Sequence, residues 1–311
     1  MKIAVVGAGA MGSLFGARLK EAGEDVILVD VSQAHIETVN REGLRLQADD
    51  GDRRVQLPAG RADAFSDPVD LVVVFTKAAY TAEAVASVTH LVGPDTWALS
   101  VQNGIGNVET IAERIPAARI LFGMTNYPAD LRGPGHVASH GSGEIRLWVA
   151  GGAGEREGGA RLEAVCEALT RAGLPAVADP EVRVAIWEKV AFNAATSPVA
   201  AVTRLRVGPI GDSPAGREIA RAAVDEVAAT ALANGVRIEA DRVMAALDHA
   251  FADHRGHQPS MLQDVLAGRR TEIGTINGAV IAAARAKGVP CPVNETLYRL
   301  VSLVETNYGA T

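Results

Sequence analysis

An α/β sheet domain at the amino end, followed by an all-helical domain, is the architecture this sequence predicts. Two observations carry it. Apolar strands alternate with helical patterns through the first part of the chain, beginning with KIAVV, DVILV and LVVVF. Near Asp179 the composition changes, and Val-rich alternation gives way to Ala-rich helical runs. The expected domains are therefore residues 1–179 and 180–311, and a chain of 311 residues has the length for two. The chain is 48% hydrophobic but only 4% aromatic, so its cores must be built from Ala, Val, Leu and Ile.

Residues 2–6 read as a buried strand that runs into Gly7, Ala8, Gly9, Ala10, Met11 and Gly12, and then into a helix over 13–22. This is G-x-G-x-x-G between a strand and a helix, the context the motif requires. Gly7 permits the tight turn, Gly9 lets backbone approach a pyrophosphate, and Gly12 lets the helix pack close to the strand. The amides at the helix start then face the phosphates. That is the opening of a Rossmann dinucleotide-binding domain; a glycine-rich turn without a ligand is the plainer alternative. Residues 25–30 form the second strand, and Asp30 ends it. An acidic residue there hydrogen-bonds the adenosine ribose of NAD and repels the 2′-phosphate of NADP. No Arg or Lys stands beside Asp30 to take that phosphate. The alternative is that Asp30 or Ser32 caps the next helix, over 33–41.

Residues 43–57 alternate and are broken by Asp49, Asp50, Gly51 and Asp52, which reads as a hairpin on the same sheet. Residues 71–77 and 96–101 are further strands, with a helix over 81–91 between them. Lys77 ends the first, and Gln102 and Asn103 follow the second. Carboxyl ends of strands line the ligand crevice of such sheets, so all three are expected near the cofactor. A solvated charge at Lys77 and a turn role for Asn103 before Gly104 are the alternatives. Residues 120–124 and 136–149 extend the sheet, the second with breaks at Gly141 and Gly143. A Gly-rich turn over 151–159, a helix over 160–172 and an extended exit over 176–180 close the domain.

Helical patterns then cover 181–203, 217–234, 240–252, 272–287 and 293–307. In the first, Trp187, Val190, Ala191, Ala194 and Ala195 fit a buried side, while Lys189, Asn193 and Ser197 repeat one turn apart just before Pro198. A buried lysine must be paired or lose its proton, which makes its pKa tunable. A surface stripe with Lys189 paired to Glu188 is the alternative. A polar, Pro-broken segment over 257–264 contains Ser260, which reads as a helix cap. Glu272 opens the next helix, where a carboxylate offsets the helix dipole.

The net charge of −7 without a basic run argues against nucleic acid or an anionic membrane as partner. The histidines form no metal spacing; His254 and His257 are the nearest case, and no metal is expected. Cys166 and Cys291 lack CxxC spacing and fit a reducing cytoplasm. The first residues do not read as a signal peptide, and no stretch has the ~18 uncharged apolar residues of a membrane span.

Taken with the glycine loop, Lys77, Gln102-Asn103-Gly104, the Trp187-Glu188-Lys189 to Asn193 helix and the SMLQD segment from Ser260 through Glu272, the chain resembles the ketopantoate reductases over nearly its whole length. The resemblance implies a Rossmann domain followed by an all-helical domain similar to that of 6-phosphogluconate dehydrogenase, with the active site in the cleft between them. It implies that Lys189 is the general acid or base, that Asn193, Ser197 and Ser260 hold substrate, and that Asn103 sits by nicotinamide and substrate. Lys77 and Glu272 would contact the cofactor. The family helix usually carries a second Asn where Ser197 stands, and a further substrate-side Asn falls on Val207. Its second strand often ends in Arg for NADP, where this chain has Asp30. The implied reaction is reduction of a 2-keto acid with NAD(P)H, foremost 2-dehydropantoate, in pantothenate biosynthesis. An NAD-dependent D-2-hydroxyacid dehydrogenase of the same family is the alternative, and a non-catalytic dinucleotide sensor a remote one. NAD(H) is favoured by Asp30, with NADP(H) the family alternative. The partner is a small 2-keto acid, and a homodimer is compatible with all of this.

Overall fold

The computed structural model describes residues 1–151 and 155–308, with the side chains of 155–157 left aside. The chain forms two compact units, one of residues 1–102 and 107–182, the other of residues 103–106 and 183–311. The division thus falls a few residues after the expected 179/180, and Asn103–Gly106 groups with the helical unit instead of the sheet.

In the first unit the elements run β1 (Lys2–Val6), α1 (Ala10–Glu21), β2 (Asp25–Val29), α2 (Gln33–Glu42), β3 (Leu44–Ala48), β4 (Gly51–Val55) and β5 (Ala59–Gly60). They continue through β6 (Val69–Val74), α3 (Thr81–Ser87), β7 (Val92–Ser100), α4 (Asn107–Ala112), β8 (Ile120–Thr125), β9 (Asp130–Gly133), β10 (His136–Ser139), β11 (Ile145–Val149), α5 (Glu155–Arg171) and β12 (Ala176–Ala178). Eight strands make one sheet in the order β12-β11-β8-β7-β6-β1-β2-β5. β1 pairs in parallel with both β2 and β6, so the strand order reverses beside it and a crevice opens at its carboxyl end. Alternation decides which core each side chain joins. Ile3 and Val5 pack in one apolar cluster with Phe15 of α1, while Ala4 and Val6 pack in another with Val85 and Ile111. Both faces are covered, which is why KIAVV is apolar throughout.

Three expectations change here. The hairpin over 43–57 forms as β3–β4, but β3 pairs with β10 in a separate four-stranded sheet, β4-β3-β10-β9, that packs against α1. The stretch 136–149 is two strands in two sheets, because the chain turns at Gly141 with φ +92°. The Gly-rich turn lies partly outside the described residues, and its later part is already helical from Glu155.

The second unit contains α6 (Val182–Thr203), α7 (Val207–Asp212), α8 (Pro214–Ala233), α9 (Ala240–Asp253), α10 (Ser260–Leu266), α11 (Asn277–Ala286) and α12 (Pro292–Glu305). Val182, the first residue of α6, counts with the sheet unit. Ala191, Ala194, Ala195, Ala220, Ala223 and Ala231 are all fully buried, so the helices approach closely without aromatic side chains. The helix expected from Glu272 starts only at Asn277. Residues 272–276 form a turn instead, in which Thr271 Oγ1 accepts from the Ile273 amide (3.1 Å) and the Glu272 carbonyl accepts from the amides of Thr275 and Ile276. Glu272 is therefore not compensating a helix dipole.

Inside this unit Glu226 of α8 takes the amides of Val293 (2.8 Å) and Asn294 (2.9 Å) and the Asn294 side-chain amide (2.7 Å). It closes the start of α12 from a neighbouring helix. Glu226→Ala leaves these donors without their carboxylate and should cost about 2 kcal/mol. The expected readout is a lower urea midpoint with an unchanged m-value.

Candidate functional site

The glycine loop sits at the carboxyl end of β1. Gly7 has φ +92°, and a Cβ there would lie 2.6 Å from the Thr76 amide nitrogen after β6. A Cβ on Gly12 would strike the carbonyl oxygen of Gly7. Gly9 is the opposite case: nothing lies within 4 Å of its would-be Cβ. Two glycines are demanded by the protein itself, and the third borders open space at the start of α1, where no side chain caps the amides. An uncapped start on a twelve-residue helix beside that space fits a phosphate group.

Asp30 follows β2. Its Oδ2 accepts from the Ala8 amide (2.6 Å) and its Oδ1 from the Ser32 amide (2.8 Å). The carboxylate ties down the phosphate loop, and its remaining lone pairs can accept from ribose hydroxyls. Ser32 is the residue before α2 but makes no side-chain cap bond. Lys77 is half-buried and starts a short turn, residues 78–80, after β6. Gln102 Nε2 donates to the Thr76 carbonyl (2.6 Å) and to Thr81 Oγ1 (2.8 Å), and Ser100 Oγ donates to its Oε1 (2.8 Å). Gln102 thus pins the exit of β6 to the start of α3.

In the helical unit, three of the expected residues come together. Asn103 Nδ2 donates to Glu272 Oε2 (3.1 Å), and the Glu272 carboxylate raises the proton affinity of Lys189. Burial works the other way and wins: it lowers the Lys189 pKa from 10.5 to about 8. The pairing of Lys189 with Glu188 is not what holds the stripe, because Glu188 meets Arg242 of α9 at 3.4 Å. Asn193 is half-buried one turn along α6, and Ser197 is buried at 3% exposure. Ser260 is exposed and begins α10; Pro259 is the residue before the helix, so Ser260 is not its cap. Val207 is buried at the start of α7.

The Asn103–Gly106 segment docks on the 272–275 turn. Gly104 has φ +88°, and a Cβ there would strike the Thr275 carbonyl oxygen, which also accepts from the Ile105 amide (3.4 Å). Close backbone approach is what sets Asn103 against Glu272.

Sequence reasoning missed one supporting residue. Pro198 lies inside α6 and offers no amide to the carbonyl of Ala194, four residues back. Asn277 Nδ2 supplies the missing donor at 3.2 Å and also reaches Asn294 Oδ1 at 2.9 Å. Both asparagines are fully buried. A proline in a helix announces an unserved carbonyl, but only the fold shows who serves it.

Strand order and glycine geometry place the first unit in the dinucleotide-binding class. Known proteins narrow this. Residues 3–150 match the family described as ketopantoate reductase PanE/ApbA, and residues 181–305 match its C-terminal part. A 2-dehydropantoate 2-reductase of Pyrococcus horikoshii is 35% identical over the whole of both chains. One of Archaeoglobus fulgidus is 35% identical over 98% of each. Among solved structures, D-mandelate dehydrogenase with NADH and anilino(oxo)acetate superposes with a TM-score of 0.94 at 30% identity, covering 99% of each chain. A PanE/ApbA family ketopantoate reductase from Ralstonia eutropha gives a TM-score of 0.90 at 29% identity, again over 99% of each. The chain belongs to the ketopantoate reductase PanE/ApbA family.

Asn277→Val should cost about 3 kcal/mol, since it leaves two buried acceptors unserved. Pro198→Ala restores an amide for Ala194. In that background the same Asn277→Val change should cost less by at least ~0.5 kcal/mol, a coupling that urea unfolding of the four proteins measures.

Proposed function

We propose that the protein is an oxidoreductase that reduces 2-dehydropantoate to (R)-pantoate with a nicotinamide dinucleotide. The observation that carries this is the lysine of lowered pKa held with Glu272 and Asn103 in a chain whose relatives are named 2-dehydropantoate 2-reductases. Gly7, Ala8, Gly9, Ala10, Met11 and Gly12 would hold the pyrophosphate, Asp30 the adenosine ribose, and Lys77 further cofactor groups. The dinucleotide, when bound, supplies hydride to the keto carbon. Lys189 has the other half of the chemistry. Hydride addition builds negative charge on the carbonyl oxygen, and an ammonium there stabilises that charge and donates the proton. A pKa of about 8 leaves Lys189 mostly charged at neutral pH yet ready to give up its proton. Glu272 limits how far burial can lower it. Asn193, Ser197, Ser260 and Asn103 can bind carboxylate and hydroxyl groups without competing for the proton.

A second reading is an NAD-dependent D-2-hydroxyacid dehydrogenase acting on another 2-keto acid. The likeness to D-mandelate dehydrogenase favours it, as do Ser197 and Val207 at positions where the family usually has Asn. A panel of 2-keto acids offered with NADH and NADPH decides: faster turnover of an aryl keto acid than of 2-dehydropantoate moves the assignment to this reading.

Lys189→Ala should lower kcat by ~10²-fold or more. In the parent, kcat for reduction should fall as pH rises through about 8, because the lysine deprotonates there, and alcohol oxidation should rise over the same range. A variant within threefold of parental kcat would move the proton donor off α6.

On cofactor choice, NADH should be preferred, because the Asp30 carboxylate repels a 2′-phosphate. Asp30→Arg should narrow or invert the NADH:NADPH ratio of kcat/KM. That ratio is the right readout, since the same substitution also releases the Ala8 amide and weakens both cofactors.

A further inference from the structure

A chain of hydrogen bonds runs behind the phosphate loop and ends on a histidine. The Gly135 amide, in the turn between β9 and β10, donates to His35 Nδ1 at 3.1 Å. An imidazole whose Nδ1 accepts carries its proton on Nε2 when neutral. Nε2 faces Ser13 Oγ of α1 at 3.4 Å, and Ser13 Oγ donates to the Ala8 carbonyl at 2.8 Å. Ala8 in turn gives its amide to Asp30 (2.6 Å). Ser13 is fully buried and His35 is 3% exposed, so water does not stand in for either. Every donor in this chain points the same way, from the second sheet through α2 and α1 to the loop.

We propose that His35 is a positioning residue for the cofactor: acting through Ser13, its neutral imidazole holds the phosphate loop in its binding shape, and protonation releases the loop. This rests on the dinucleotide reading above. A second proton would sit on Nδ1 and point at the Gly135 N–H, setting two donors face to face. The charged group that faces the imidazole is Asp30, at the end of β2; α1 presents the Ser13 hydroxyl and the β9–β10 turn presents a backbone amide. Asp30 favours the protonated ring, but burial outweighs it and holds the His35 pKa below its ordinary 6.5. Loss of affinity therefore begins below pH 6.5 and is completed on the acid side of that value.

The experiment is calorimetric titration with NAD⁺ and NADP⁺ at pH 8 and pH 5, with circular dichroism to confirm folding. The parent should bind its preferred dinucleotide more weakly at pH 5. His35→Ala should weaken binding roughly tenfold at pH 8, the loss of one buried hydrogen bond. His35→Gln keeps a donor near the Nε2 position and cannot be protonated. It should restore most of the affinity at pH 8 and abolish the extra weakening at pH 5. Ser13→Ala cuts the chain with His35 intact, and combining it with His35→Ala should add little. Parallel losses at pH 5 in the parent and His35→Gln, or a His35→Ala protein that binds like the parent, would overturn the proposal alone. A folded parent that binds neither dinucleotide at pH 8 overturns the cofactor reading and this proposal with it.

Discussion

A lysine kept largely from water is the constraint around which the helical unit is built. Burial alone would strip Lys189 of its charge, and a full charge without a counterpart would be too costly to keep inside. Glu272 sets the balance. It can do so only because residues 272–276 form a turn and not the first turn of a helix, and because Asn103 holds one of its oxygens. The alanines of α6 matter for the same reason: small side chains let neighbouring helices close around the lysine.

Both units support their reactive groups with buried, neutral hydrogen bonds from elsewhere in the fold. In the helical unit, Asn277 fills the gap that Pro198 opens in α6, and Asn294 and Glu226 hold Asn277 in turn. In the sheet unit, Ser13 and His35 do this for the glycine loop. Neutral groups are well chosen for such work. They impose direction without adding a charge that would shift Lys189 or repel a phosphate.

What could be read in the sequence was what depends on neighbours along the chain. The glycine loop, the apolar strands and the one-turn spacing of Lys189, Asn193 and Ser197 follow from local rules, and the structure places them on a strand end and a single helix. What could not be read depends on distant pairing. Nothing local tells β10 to leave the main sheet for β3, because its alternation serves either partner equally. The pattern 272–287 is helical throughout by periodicity, yet Gly274 and the side-chain bond from Thr271 favour a turn before Asn277. Asn277 and His35 looked like ordinary residues, since their meaning lies in the carbonyl and the hydroxyl they face.

The placement of Asn103–Gly106 bears on recombination between relatives. These residues are encoded within the sheet unit but complete the helical one, where Gly104 has no space for a side chain beside Thr275. A chimera that joins one parent's first unit to another's second at residue 182 would mate a foreign segment to the turn bearing Glu272. Exchangeable modules in this family are therefore not amino and carboxyl halves. A working graft must carry residues 103–106 together with the helices they belong to.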